Sequence, residues 1–245
     1  MLLLHGFGDT PQTLSYLARY LNENGYDVRV PLLRGHGRSI AAMDASTHME
    51  WLDDARAQLY AMRARYDWVA VGGLSMGGSI AALLAAEVRD LPALVLISPY
   101  LAMPLHLRLL SGTADYWNDL VRPFHSATVR SILDPVERAA NLAYGSVTGH
   151  GIHELSQLVK KARAILGEIV TPTLYIQSEH DNRSSLPAAQ RAFAAIGAEM
   201  KKMTLTHEGG HIITVDYGRA HVFEEIRAWL GLVPEPCPSQ GVRNS

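Results

Sequence analysis

Residues 68–80 read Trp68-Val-Ala-Val71-Gly72-Gly73-Leu74-Ser75-Met76-Gly77-Gly78-Ser79-Ile80. The apolar run 68–71 has the make-up of a buried strand. Ile80, Leu83, Leu84 and Val88 then repeat at helical spacing until Pro92 ends the run. Between strand and helix stands Gly-x-Ser-x-Gly, a turn so sharp that its serine is held in a strained backbone conformation. Side chains two residues to either side would collide there, so Gly73 and Gly77 relieve the turn and leave the Ser75 hydroxyl exposed at the head of the helix. The pentapeptide alone also fits a glycine-rich turn whose serine merely caps the helix. It does not fit nucleotide binding: glycines at 72, 73, 77 and 78 do not make G-x-G-x-x-G, and no Lys-Ser or Lys-Thr follows.

Outward from this turn, further apolar runs at Leu2–Leu4, 28–31, 93–97, 173–177 and 200–205 read as strands. The central ones are continuously apolar, as parallel strands covered on both faces are. Helical stripes lie between and after them: Leu14, Leu17, Ala18 and Leu21; Leu52, Ala55, Leu59 and Met62; Val222, Ile226, Trp229 and Leu230. Strand–helix alternation of this kind predicts an α/β protein with a doubly wound, mostly parallel sheet. The stretch 99–167, with Pro104, Pro123 and Pro135, breaks the alternation and reads as a small helical insertion after the fourth visible strand. The chain therefore divides into a core, 1–98 and 168–232, an inserted cap, 99–167, and a loop-like tail, 233–245, expected to be disordered.

Composition narrows the function. Of 245 residues, 48% are hydrophobic and 19% charged, enough for a sizeable core without staples. The lone cysteine, Cys237, excludes a disulfide framework and a cysteine metal cluster. With 22 basic and 24 acidic residues the chain lacks the balance of a nucleic-acid binder. No apolar run approaches the ~18 residues of a membrane span. Met1-Leu-Leu-Leu-His5 has neither the basic start nor the cleavage site of a secretory signal. These features favour the cytoplasm.

A serine nucleophile needs a base to take its proton and a carboxylate to orient that base. In a doubly wound sheet these belong on loops after later strands, in the order Ser, then acid, then His. Strand 173–177 runs into Ser178-Glu179-His180-Asp181, which makes Asp181 the leading acid, with Glu179 and Asp134 as rivals. Strand 200–205 runs into Thr206-His207-Glu208-Gly209-Gly210-His211, where the glycine pair gives His211 room to turn inward and His207 is the competitor. An oxyanion would be bound by the amides of Met76, directly after the nucleophile, and Phe7, between Gly6 and Gly8. His150, His153 and Glu154 lack the HExxH spacing. The chemistry needs no metal and no cofactor.

Four pieces now stand in order: Leu-Leu-Leu-His5-Gly-Phe-Gly, Gly-Leu-Ser75-Met-Gly-Gly, Ser-Glu-His-Asp181 and Gly-Gly-His211-Ile-Ile-Thr. Together they resemble the α/β-hydrolase superfamily over about residues 1–232. Within it they are similar to the bacterial carboxylesterase and monoacylglycerol lipase group. Leu32-Leu-Arg-Gly-His36-Gly-Arg-Ser39 is similar to a loop of these hydrolases, and His211-Ile-Ile-Thr-Val-Asp216 points most directly to the ester-cleaving group. The resemblance implies Ser75 as nucleophile, Asp181 and His211 as its partners, and the Phe7 and Met76 amides as oxyanion hole. It implies a cap at 99–167, in which Glu154 matches a glutamate near the glycerol pocket; otherwise Glu154 is a solvated helix charge.

Members of the group carry one or two strands before the His-Gly strand, which here contains Met1. Either those strands are missing, leaving a sheet edge that a partner such as a second copy could cover, or the chain begins further upstream and the location stays open.

The expected activity is hydrolysis of carboxylic esters of short to medium acyl chain, monoacylglycerols among them, through an acyl-enzyme. Leu101, Met103, Leu105, Leu107, Tyr116, Trp117, Phe124 and Leu155 could line an acyl pocket or simply cover the cap's underside. Carbon–carbon bond or thioester cleavage on the same triad, a non-catalytic binding scaffold and a haloperoxidase are the alternatives.

Overall fold

A computed structural model describes residues 1–113, 124–125 and 131–233 of the chain. The core begins with β1 (Leu2–Leu4), α1 (Ser15–Glu23), α2 (Ile40–Asp44), α3 (His48–Arg63), β2 (Val71–Leu74), α4 (Met76–Glu87) and β3 (Leu94–Ile97). A long excursion follows, with α5 (Leu105–Ser111), β4 (Phe124–His125), α6 (Pro135–Ala140), β5 (Ser146–Val147) and α7 (Gly149–Ala164). The chain returns to the sheet as β6 (Thr173–Ser178), α8 (Leu186–Ala195), β7 (Lys201–Thr206) and α9 (Arg219–Leu232).

The main sheet runs β1-β2-β3-β6-β7, every pairing parallel. β1 and β3 are apolar throughout because both faces of the sheet are covered there. On β3, Leu94 and Leu96 point into the cluster under α3, α4 and α7, while Val95 and Ile97 point into the opposite cluster under α1 and α9. Tyr175 joins the first cluster, and Leu174 and Ile176 join the second. Almost all of α4 is buried, because the sheet lies under one side and α7 packs on it from the other. β7 forms one edge and carries Lys201 and Lys202, charges that discourage edge-to-edge pairing.

Two strand expectations need correction. Residues 28–31 form no strand but a single parallel bridge, Leu2 to Arg29. Arg29 accepts from the Leu3 amide at 2.8 Å and donates to the Met1 carbonyl at 2.9 Å. The next rung would need an N–H on residue 31, which is a proline. The excursion therefore follows the third laddered strand, not the fourth. The central strand lies at Val71–Leu74 rather than 68–71, because Gly72 and Gly73 are part of the ladder, opposite Val95 and Leu96. Composition disguises them as turn residues.

The same bridge makes β1 the switch point of the sheet: the chain continues on one side of it at Arg29 and on the other at β2. Ligands of open α/β sheets bind where strand order reverses, beyond the carboxyl ends of the strands. The loops leaving β1 and β2 there carry Phe7 and Ser75. In the excursion, β4 and β5 pair in a two-residue antiparallel ladder that the sequence did not signal. Val233, assigned above to the tail, is buried in the cluster under α9. Residues 234–245, with Cys237, lie outside the described residues, as do Tyr116, Trp117 and the side chain of Phe124.

Candidate active site

Ser75 sits between β2 and α4 with φ 55° and ψ −118°, a conformation that L residues rarely adopt. The neighbouring glycines make it possible. A Cβ on Gly77 would lie 2.0 Å from the Leu4 carbonyl oxygen, and one on Gly73 would lie 2.1 Å from the Gly77 carbonyl oxygen. Backbone meets backbone at both places, so nothing can give way. The collision inferred from the sequence is between β1, β2 and the first turn of α4.

The structure brings Ser75, His211 and Asp181 together from loops 30 or more residues apart in the chain. The Ser75 hydroxyl lies 2.8 Å from His211 Nε2, and His211 Nδ1 lies 2.9 and 2.8 Å from the two oxygens of Asp181. The Nδ1 proton therefore belongs to the Asp181 bond, which leaves Nε2 as the acceptor for the serine proton. The Asp181 side chain is wholly buried and its oxygens are used. Oδ1 accepts from the amides of Arg183 and Ser184 at 2.7 and 2.9 Å, and Oδ2 from Gln177 Nε2 at 2.8 Å. Burial pushes the Asp181 carboxyl up, but the His211 charge and these hydrogen bonds outweigh it and hold the group below its ordinary value.

The rivals lie elsewhere. Glu179 pairs with His207 at 2.9 Å on the exposed side of the loops. Asp134 caps α6 by accepting from Val136 and Glu137. Nor does the structure bring Glu154 into the cavity. One of its oxygens accepts from both the backbone amide and Nδ1 of His48, at 2.8 and 2.6 Å, so it caps α3 from α7. Burial pushes its carboxyl up and the two His48 bonds more than offset this, leaving it below the ordinary value.

Above Ser75 opens a cavity of about 290 Å³. Met103, Leu107, Leu110, Ile152 and Leu155 give it an apolar wall, and Phe7, Asp9, Tyr100 and Arg183 complete it near the serine. Among the described residues neither the Phe7 amide nor the Met76 amide has a hydrogen-bond acceptor. Met76 follows Ser75 directly and is buried, while Phe7 is half-buried and lines the same cavity as the serine. The loop that carries Phe7 is anchored by His5, whose Nε2 accepts from the Leu33 amide at 3.1 Å while Nδ1 donates to the Gly6 carbonyl at 2.9 Å. Burial, with His36 stacked edge-on 5.0 Å away, pushes the His5 imidazole down to about 3, so it stays neutral.

Several residues of the site were not singled out from sequence. Asp9 is buried in the loop after β1, accepting from the Thr10 amide and the Thr13 hydroxyl, each at 2.8 Å. The run Asp9-Thr-Pro is a turn signal that could have flagged it. Asp216 accepts from the amides of Gly210, Leu133, Asp134 and Tyr217 and so ties the His211 loop to the excursion. Ser178 donates to the Gly209 carbonyl at 2.7 Å, joining the acid loop to the base loop.

Among the described residues no group of three or more His, Cys, Asp or Glu is placed to hold a metal ion, and no helix is long and apolar enough to cross a membrane.

A parallel, doubly wound sheet with a Ser–His–carboxylate chain at its switch point is the architecture of the α/β-hydrolases, and this protein has that fold. The chain belongs to the hydrolase family described as serine aminopeptidase, S33, whose model matches residues 1–217. It is similar to a thermostable monoacylglycerol lipase of Bacillus sp. (strain H-257), 27% identical over 224 residues that cover 91% of this chain and 87% of that protein. It is also similar to a carboxylesterase of Bacillus subtilis (strain 168), 25% identical over 235 residues, 94% of this chain and 91% of that protein. A solved structure reported with two metagenome-derived lipolytic enzymes superposes with a TM-score of 0.84 at 27% identity, covering 94% of this chain and 92% of the other.

Proposed function

We propose that the protein hydrolyses carboxylic esters of short to medium acyl chain, monoacylglycerols among them, through an acyl-enzyme on Ser75. The observation that carries this reading is the continuous hydrogen-bonded line from Ser75 Oγ through His211 to the buried Asp181, at the floor of an apolar cavity. The names of the similar Bacillus lipase and carboxylesterase support the ester class. The excursion between β3 and β6 is the cap, since Met103, Leu107, Ile152 and Leu155, four of the cavity's apolar residues, come from it.

In the first half-reaction Ser75 Oγ attacks the ester carbonyl while His211 Nε2 takes its proton. The imidazolium so formed is held by the Asp181 carboxylate. The negative oxygen of the tetrahedral intermediate accepts from the Phe7 and Met76 amides. Collapse breaks the bond to the alcohol oxygen, which receives the proton from His211 Nε2 and leaves. Water then attacks the acyl group on Ser75, gives its proton to His211, and the second collapse returns that proton to Ser75 as the acid departs. Glu154 has no part in these steps.

Replacing Ser75 by alanine is expected to lower kcat on p-nitrophenyl butyrate by about 10⁶, with the melting temperature retained. Hydrolysis surviving near the original rate would overturn the assignment.

A further inference from the structure

Arg183 is the one arginine or lysine among the described residues that line the cavity with Ser75. It stands two residues after Asp181, on the loop that leaves β6. Its backbone amide serves the acid, but its side chain does something else. Nε donates to the Ser131 hydroxyl at 3.2 Å, and that hydroxyl donates on to Asn182 Oδ1 at 3.2 Å. The guanidinium is thus aimed by a contact spanning 52 residues of chain. Its four Nη hydrogens meet no acceptor among the described residues, and no described carboxylate pairs with it. Asp181 is near, yet its oxygens are already taken by His211, Gln177 and two backbone amides.

A half-buried guanidinium that no carboxylate hydrogen-bonds is costly: burial lowers the Arg183 pKa and outweighs the nearby Asp181 charge. Tyr100 lines the same cavity. Its hydroxyl has no partner among the described residues, and burial pushes it up to about 12, so it remains a donor. Asp9 also lines the cavity, but its oxygens are taken by the Thr10 amide and the Thr13 hydroxyl. A planar fork of free donors beside a neutral hydroxyl, facing the apolar wall of Met103, Leu107, Leu110, Ile152 and Leu155, matches a carboxylate. We propose that Arg183 is the anion-recognition residue of this cavity and that it selects esters bearing a second, ionised carboxyl group, the half-esters of dicarboxylic acids and their analogues. The proposal rests on the ester-hydrolase reading of the same cavity.

Three substrates test it. In monoethyl succinate a carboxylate replaces the terminal methyl of the acyl half of ethyl butyrate. In butyryloxyacetate it replaces the terminal methyl of the alcohol half. The measurement is kcat/KM of each anionic ester divided by that of ethyl butyrate, for the native enzyme, Arg183→Gln and Arg183→Lys. Charge-assisted hydrogen bonds of this kind are worth about 10- to 100-fold. At least one ratio is expected to fall by that factor in Arg183→Gln and to recover in part in Arg183→Lys. The ester that responds identifies which half of the substrate faces the arginine. Ratios equal in all three proteins would sink the proposal. Calorimetric binding of succinate and adipate to Ser75→Ala, with and without Arg183→Gln, reads the same contact without turnover. Dicarboxylate binding that needs Arg183 in a protein that cleaves no ester would keep the anion site and refute the ester reading. Ester cleavage with neither ratio nor binding sensitive to Arg183 would do the reverse.

Discussion

Asp9→Asn is expected to make the protein more stable at neutral pH. Asp9 is 3% exposed, and burial raises its carboxyl from 3.8 to about 6 despite the hydrogen bonds from Thr10 and Thr13 and the charge on His211. The folded chain therefore holds this proton more tightly than the unfolded chain does. Between pH 3.8 and about 6 the folded state binds more protons, so stability falls as pH rises and the loss is complete above about 6. The rise to about 6 corresponds to roughly 3 kcal/mol. Asparagine removes the charge and keeps the contacts. Its carbonyl can accept from the Thr10 amide as Oδ1 does now, at 2.8 Å. Its amide can donate to the Thr13 hydroxyl, which turns its own proton to the Thr10 carbonyl 3.2 Å away. Urea denaturation of both proteins at pH 4, 6 and 8 cancels every other titrating group. The variant's advantage should be near zero at pH 4 and grow to about 3 kcal/mol at pH 8, or about 6–12 °C in melting temperature. A difference that does not change with pH, or a variant weaker at pH 8, would refute the account of Asp9 as a charge whose burial outweighs its hydrogen bonds.

Asp181→Asn should leave the fold intact but lower kcat by about 10⁴, since an amide facing His211 no longer fixes the Nδ1 proton; initial rates on p-nitrophenyl butyrate against unchanged circular dichroism decide this. At low pH the native Asp181 acts opposite to Asp9. Its depressed pKa makes its stabilisation present above the unfolded value and lost as pH falls through the folded one. Gly77→Ala should cost more than about 4 kcal/mol or abolish soluble expression, because the new Cβ would lie 2.0 Å from the Leu4 carbonyl oxygen and 2.7 Å from that of His5. Recovery of a normally stable Gly77→Ala protein would remove the steric account of the turn.

Much of the architecture was legible because burial leaves its mark on composition. The runs at Leu2–Leu4 and 93–97 are apolar on both alternating faces, 173–177 is so at its centre, and the sheet they form is covered on both. Legibility failed where a backbone property decided. Pro31 ends the pairing beside β1 for want of one N–H, and Gly72 and Gly73 carry no side chain by which a strand could be recognised. The site was legible in part. Gly-x-Ser-x-Gly located Ser75 because only glycine tolerates the contacts around it. Spacing favoured Asp181 over Glu179 and His211 over His207, but hydrogen bonding across the loops is what turns one of each pair inward and joins the other two on the surface.

By itself, the sequence determined the apolar core strands and the main helical stripes between them, the strained turn at Ser75 and the residue types of a proton relay, since each rests on interactions within a few residues or on burial periodicity. The tertiary structure alone decided the partners of Glu154, the charge environment of Asp9 and the aim of Arg183. These depend on Glu154 meeting His48 across 106 residues and Arg183 meeting Ser131 across 52. Such contacts leave no periodic trace in the chain, because a single side chain reaching a distant loop imposes no pattern on its neighbours.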